Sequence, residues 1–202
     1  LAMSEPNAGS DVAGMALSAR KQGGRYVLNG TKMWITNGGF ADVFIVFAKI
    51  DQDEKLTAFI VERNFGGITM NEEEKKMGIK GSSTRQIFFN DCPVPIENML
   101  SERENGFKIA VNILNIGRIK LAASALGGAK AALNHAVKYA NERKQFGQTI
   151  GSFGAIKHKL GEVAAHIFAS ESALYRAGQN IDDAYDDLVK NGIDSAEAKL
   201  KS

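Results

Sequence analysis

Residues 106–143 contain no proline and almost no turn chemistry, which predicts one uninterrupted helix. At ~1.5 Å per residue such a helix is roughly 50 Å long. Its middle is built of small residues, Ala122, Ala123, Ser124, Ala125, Gly127, Gly128 and Ala129. So thin a helix lets neighbours approach closely, while the two glycines weaken it and offer a site for a kink. Gly147 and Gly151 frame a break. Ser152 is then placed to cap a second helix, with Ile156, Leu160, Val163, Ile167 and Leu174 on one face. The acidic residues 182–187 are expected to end it. Asp194 or Ser195 can cap a third helix through Ala196, Ala198 and Leu200. A domain seldom stops within a helix of barely two turns, and the first residue is Leu1 rather than Met, so the sequence reads as cut at both ends.

The first half has a different period. Residues 25–28 and 31–36 read as strands flanking Asn29-Gly30, the signature of a tight type I′ hairpin. Residues 44–49, 56–62 and 85–89 are further strand candidates, punctuated by Asn37-Gly38-Gly39 and Gly66-Gly67. Pro93 and Pro95 are expected to end the strand run. The fold class is therefore α+β: an antiparallel β-barrel or sandwich over residues 1–104, then part of an up-down helical bundle over residues 105–202.

Composition narrows the function. Hydrophobic residues make up 44% and charged residues 24%, as in ordinary globular proteins. The net charge of +2 argues against a nucleic-acid or anionic-membrane partner. Cys92 is the only cysteine, which excludes an internal disulfide and a Cys-rich zinc site. No apolar run approaches a membrane span, and no signal peptide is evident at the start. Neither G-x-G-x-x-G nor a P-loop is present. His135, His158 and His166 match no metal spacing, and no metal site is expected. Asp182, Asp183, Asp186 and Asp187 read as a solvated helix end. Lys75, Lys76 and Lys80, following Glu72, Glu73 and Glu74, read as a mixed solvated surface.

Two features stand apart. In Met3-Ser4-Glu5-Pro6-Asn7-Ala8-Gly9-Ser10-Asp11, hydroxyls and small residues surround one proline and one glycine. By its chemistry it is first an Asx or Ser turn, and second a loop able to offer N–H groups and hydroxyls to a planar or phosphorylated ligand. Trp34 is either core or a platform for a flat ring.

Together with a third segment these carry a family resemblance. S-E-P-N-A-G-S-D at the start resembles the T/S-E-P-x-x-G-S-D signature of acyl-CoA dehydrogenases. K-M-W-I-T-N-G-G, from Lys32, resembles their flavin-ring strand. E-R-K-Q-F-G, from Glu142, resembles their E-R-x-x-F-G motif. The order and separations also fit, over essentially the whole chain. V-E-R-N-F-G-G-I-T, E-K-K-M-G-I-K and L-N-I-G-R look most like the very-long-chain branch.

The resemblance implies FAD as cofactor and fatty acyl-CoA as substrate. The α-hydrogen would leave as a proton and the β-hydrogen as hydride to the flavin, giving a trans-2-enoyl-CoA of fatty acid β-oxidation. It implies flavin contacts at Leu1, Met3, Ser4, Gly9 and Ser10. Trp34 would cover the ring with Ile35 beside it, and Thr36 would bond near N5. Arg143 would reach the pyrophosphate of a neighbouring subunit's FAD, with Gln145 and Phe146 near its adenosine. Ser10, Asn115 and Arg118 would contact substrate. It further implies a homodimer or homotetramer, an electron-transfer flavoprotein as acceptor, and a bacterial cytoplasmic setting, with the mitochondrial matrix as alternative. Gly154 stands where many relatives have Gln, although the very-long-chain branch shares the glycine. Gly117 stands where the isovaleryl and long-chain branches carry a catalytic Glu, so the base is expected beyond Ser202, and the chain alone is expected to be inactive. Other flavin chemistry on the same fold, such as nitroalkane oxidation, and a cofactor-free self-associating module are the alternatives.

Overall fold

The computed structural model describes residues 1–201. The chain forms two compact units, Leu1–Val111 and a second that begins at Asn112.

The first unit is a seven-stranded sheet. Its strands are β1 (Ser18–Gln22), β2 (Arg25–Thr36), β3 (Val43–Ile50), β4 (Thr57–Glu62), β5 (Ile68–Met70), β6 (Thr84–Pro95) and β7 (Met99–Leu100). The order is β5-β6-β2-β1-β3-β4-β7. Every neighbouring pair is antiparallel except β1 and β3, which run parallel through Ser18↔Lys49 and Ala19↔Ile50. The end strands β5 and β7 do not pair with each other, so this mixed sheet is not closed into the expected barrel. Both are very short, which limits the unpaired backbone they present. Alternation along the strands buries Leu28, Phe44, Val46, Phe59, Val61, Ile87 and Phe89 in one core. Tyr26 meets Phe59 edge-on there, with ring centroids 5.1 Å apart.

Two turn signals act otherwise than the sequence predicts. Asn29-Gly30 lies inside the continuous β2, and the hairpin turn is Gly23-Gly24, between the paired Gln22 and Arg25. Between the pairs Leu28↔Cys92 and Gly30↔Phe89, β6 carries one extra residue. Asp91 takes it up at φ +49°; the Asn29 side chain accepts from the Asp91 N–H (2.9 Å) and donates to Asp91 Oδ1 (3.0 Å). Asn29 therefore holds a β-bulge. Gly30 is needed for close approach, since a Cβ there would lie 3.0 Å from Leu17 Cα. Pro93 and Pro95 do not end the strand run: both lie in β6, opposite Val27 and Arg25. β5 pairs only with the stretch up to Phe89, so β6 is open on that side at both prolines, where a missing N–H is tolerated.

Cys92 is buried in this core, and desolvation pushes its thiol up to about 11. A neutral, enclosed thiol is a poor nucleophile. The native chain is expected to resist a disulfide reagent at pH 8 and to react stoichiometrically once unfolded in denaturant. Fast native labelling, followed by absorbance, would contradict this burial.

The second unit is helical. Helix α1 (Gly106–Glu142) enters it from the first unit and runs through Gly127 and Gly128 without a break. A short hairpin, β8 (Lys144–Gln145) and β9 (Gln148–Thr149), leads to α2 (Gly154–Lys190) and then α3 (Ser195–Lys201). Ala122, Ala125, Leu126 and Ala129 of α1 and Val163, Ile167 and Leu174 of α2 line a groove of about 370 Å³. Lys130 and Glu171 form an ion pair between the same helices. Ser152 does not cap α2. It lies in a 3-10 turn and donates to the Thr149 carbonyl (2.6 Å), and Phe153 occupies the cap position. Nor do residues 182–187 end α2, which continues to Lys190 and stops where Gly192 adopts φ +85°. The predicted cap at Asp194 is found: its carboxylate accepts the Glu197 N–H (3.4 Å).

By length and composition α1 is apolar enough to cross a membrane, which amends the sequence reading. The same composition suits a helix enclosed by other helices.

Candidate functional site

The opening segment is stitched to the sheet by its backbone. The Ala2 N–H donates to the Ile45 carbonyl (2.7 Å), and the Met33 N–H donates to the Ser4 carbonyl (2.8 Å). Glu5 and Ala8 exchange backbone bonds of 3.0 and 3.1 Å. Asp11 then accepts the Gly14 N–H (3.3 Å), which caps a short 3-10 turn over Val12–Gly14 instead of closing the expected Asx turn. Leu1, Gly9 and Ser10 are left exposed, and Met3 and Ser4 half-buried.

Glu5 and Lys32 are buried. Lys32 Nζ donates to Glu5 Oε1 (2.8 Å) and to the Met3 carbonyl (3.0 Å). The Glu5 carboxylate also accepts the N–H groups of Ala16 (2.6 Å) and Leu17 (3.1 Å). Burial lowers the pKa of the Lys32 ammonium, and the hydrogen bond and charge of Glu5 oppose that shift.

Two residues on, β2 slips. Lys32 pairs with Ile87 and Ile35 with Arg85, so Met33 and Trp34 together face Gln86. Trp34 absorbs this bulge at φ +55° and is 58% exposed. Bulges re-aim side chains, and a bulky residue in the left-handed region is strained. Trp34 is thus not core. Ile35 does point into the core, so only its backbone can face a ligand. Thr36 ends β2 with its side chain exposed.

The turn after Thr36 is braced from behind. Arg63 donates to the carbonyls of Gly38 (2.7 Å) and Ala41 (2.8 Å). The Gly39 N–H donates to Ser83 Oγ (2.8 Å), and that hydroxyl donates to Glu73 (2.6 Å). Hydrogen bonds from Ser83, the Arg85 guanidinium and the Thr84 N–H hold the Glu73 carboxyl down at about 2, from an ordinary value of 4.5. A depressed carboxylate stabilises the fold above its unfolded pKa and ceases to do so as pH falls through the folded one. The native chain should therefore melt higher than Glu73→Gln at pH 7, and the gap should close between pH 4.5 and about 2. A gap that is unchanged at pH 2, by calorimetry, would remove Glu73 from this role.

In the second unit Arg118 donates to Asn115 Oδ1 (2.9 Å), so the two predicted substrate residues meet on one exposed helix face. Gly117, between them, has open space where a Cβ would stand. Arg143 is exposed, and among the described residues its guanidinium has no partner. Gln145 is exposed in β8, and Phe146 is 90% exposed at the hairpin tip. Phe146 and Gly147, at φ +52° and +79°, form the two-residue turn, and the Phe146 ring lies edge-on to Phe153 at 6.3 Å. Gly154 starts α2, and a Cβ there would also meet open space.

The profile of the acyl-CoA dehydrogenase middle domain matches residues 1–92, and that of the acyl-CoA dehydrogenase C-terminal domain matches residues 104–202. The chain belongs to the acyl-CoA dehydrogenase family. It is 47% identical to the mitochondrial very long-chain specific acyl-CoA dehydrogenase of Rattus norvegicus, over 98% of this chain and 31% of that protein. It is 49% identical to a probable acyl-CoA dehydrogenase of Bacillus subtilis, over 87% of this chain and 30% of that protein. The chain thus spans less than a third of these relatives. Among solved structures, an acyl-CoA dehydrogenase complexed with FAD from Bacillus anthracis superposes with a TM-score of 0.92 at 46% identity, covering 99% of this chain and 35% of that one. Butyryl-CoA dehydrogenase of Megasphaera elsdenii gives 0.82 at 40% identity, covering 98% and 51%.

In the sequence of this acyl-CoA dehydrogenase family member, Glu5 and Lys32 stand out only as letters of two motifs. Sequence alternation does not mark their pairing: it would put Lys32 and Ile35 on opposite faces, and both turn inward only because β2 slips between them.

Proposed function

We propose that this chain supplies the flavin-facing wall and part of the helical bundle of an FAD-dependent acyl-CoA dehydrogenase, with residues 1–104 as the first domain and 105–202 as the second. The observation that carries the reading is Trp34: an aromatic side chain left exposed on a strained bulge, beside a loop that is hydrogen-bonded to the same strand. A planar ring fits such a surface. The exposed indole offers a stacking face, and Gly9, with open space around a Cβ, leaves room for close backbone approach. FAD, when bound, supplies the hydride acceptor that no side chain can provide.

The chain's own residues bind and orient. Leu1, Met3, Ser4 and Gly9 contact the ring system through backbone and small side chains, with the Ile35 backbone beside them. The Thr36 hydroxyl donates where charge grows on reduction. Arg143 binds a pyrophosphate, with Gln145 and Phe146 against adenosine. Ser10, Asn115 and Arg118 hold the acyl-CoA. Gly117 offers no carboxylate as base. A homodimer or homotetramer, an electron-transfer flavoprotein as acceptor and a role in fatty acid β-oxidation complete the reading, in bacterial cytoplasm or in the mitochondrial matrix.

A titration of the chain with FAD tests it. Quenching of Trp34 fluorescence is expected to saturate, because Trp34 is the only tryptophan. Absence of saturable quenching would sink the flavin reading.

A further inference from the structure

A fully buried lysine is costly unless paired, and a well-packed apolar pair of similar volume is often as stable or more so. Lys32 is 0% exposed and Glu5 6%. Core packing alone does not require them. What they do that apolar side chains cannot is direct hydrogen bonds, and every one leads to the same place. Lys32 Nζ holds the Met3 carbonyl at 3.0 Å and Glu5 at 2.8 Å, and lies 3.3 Å from Met15 Sδ. Glu5 holds the N–H groups of Ala16 and Leu17 at 2.6 and 3.1 Å. The Ser4 carbonyl is held at 2.8 Å by Met33, the first residue of the Trp34 bulge. The opening loop, the segment around Leu17 and β2 therefore converge on one ion pair immediately before the bulge.

We infer that the Glu5–Lys32 pair is a positioning device: it sets the Met3–Ser4 edge against the Trp34 bulge so that one flat ring can meet both. This rests on the reading of Trp34 as flavin-facing. Neither residue touches the ring. They act through Met3, Ser4 and Trp34, as supporting residues do behind any preorganised site. Directional bonds locate a backbone edge more tightly than dispersion contacts can, because hydrogen bonds weaken steeply with misalignment.

The test uses the whole chain with Lys32→Met, Glu5→Gln and both together. Three quantities are read: the melting temperature, the FAD affinity by Trp34 quenching, and the acrylamide accessibility of Trp34 without FAD. Each single variant is expected to melt lower, since one buried group loses its partner. The double variant buries no charge and should regain most of the melting temperature. Its FAD affinity should stay down about 10–100-fold, the range typical of supporting residues behind metal ligands, and its Trp34 accessibility should differ from the parent's. A double variant with parental affinity and parental Trp34 accessibility would overturn the inference. So would affinity that follows melting temperature in all three variants.

If the double variant does not fold, Glu5→Asp decides. It keeps the charge but shortens the arm, and should lose affinity several-fold at a nearly parental melting temperature; unchanged affinity there overturns the inference. If the parent itself binds no FAD, the flavin reading fails separately. The acrylamide arm then still decides whether the pair positions Trp34: altered accessibility in a stable double variant supports it, and unaltered accessibility overturns it.

Discussion

Trp34→Ala and Trp34→Gly are expected to weaken FAD binding alike, by about 5–150-fold, while differing in stability. Stacking of a flat heterocycle on an aromatic side chain is typically worth ~1–3 kcal/mol, which is that range in affinity. Both variants lose the indole and the part of it that is buried, so their losses of packing match. They differ in backbone. Trp34 sits at φ +55°, and alanine inherits the strain of that region. Glycine does not, although it gains freedom when unfolded. On balance the glycine variant should be the more stable of the two by about 1 kcal/mol. Denaturant titration measures the difference, and fluorescence of bound FAD measures the affinity. Parental affinity in either variant would remove Trp34 from the flavin face. A glycine variant less stable than the alanine variant would show that the strain at the bulge is smaller than the entropic cost of glycine. Strain retained where it exposes a functional side chain is the usual pattern at binding sites.

The second large effect is a gain. The parent chain, mixed anaerobically with FAD and long-chain acyl-CoA, is expected to bleach flavin slowly, because Gly117 provides no proton acceptor beside Arg118. Gly117→Glu is expected to speed bleaching by about 10²–10⁴-fold, the usual contribution of a positioned general base. The site tolerates the change: Gly117 is exposed in α1, with open space around a Cβ. Replacing a glycine inside a helix should also stabilise it by ~0.5–1 kcal/mol. Gly117→Gln is the control, equal in size and without a base. Equal acceleration by Gln would reject the base role. A parent as fast as the Glu variant would place the base elsewhere in the chain, and Glu142 and Glu162 would be substituted next.

Much of this molecule is legible in its sequence. The proline-free run from Gly106 became α1, the cap at Asp194 formed, and the apolar run of residues 44–49 became β3. These depend on neighbours within one turn or one strand, so local sequence suffices for them. The site was legible only through its motifs. Whether Trp34 was core or platform could not be read from its own segment. That was decided by a register slip against β6, whose partner residues Ile87 and Arg85 lie far along the chain. The same holds for Asn29, which carries a turn signature but works as the brace of a bulge opposite Asp91. Ser152 differs for a local reason: its hydroxyl bonds back to the Thr149 carbonyl within a 3-10 turn instead of capping α2. Glu5 and Lys32 met only because the opening loop folds over β2. Periodicity and caps are local free energies and are written residue by residue. Register, burial of a charge and the aim of a side chain are differences between whole packings, and only the tertiary structure resolves them.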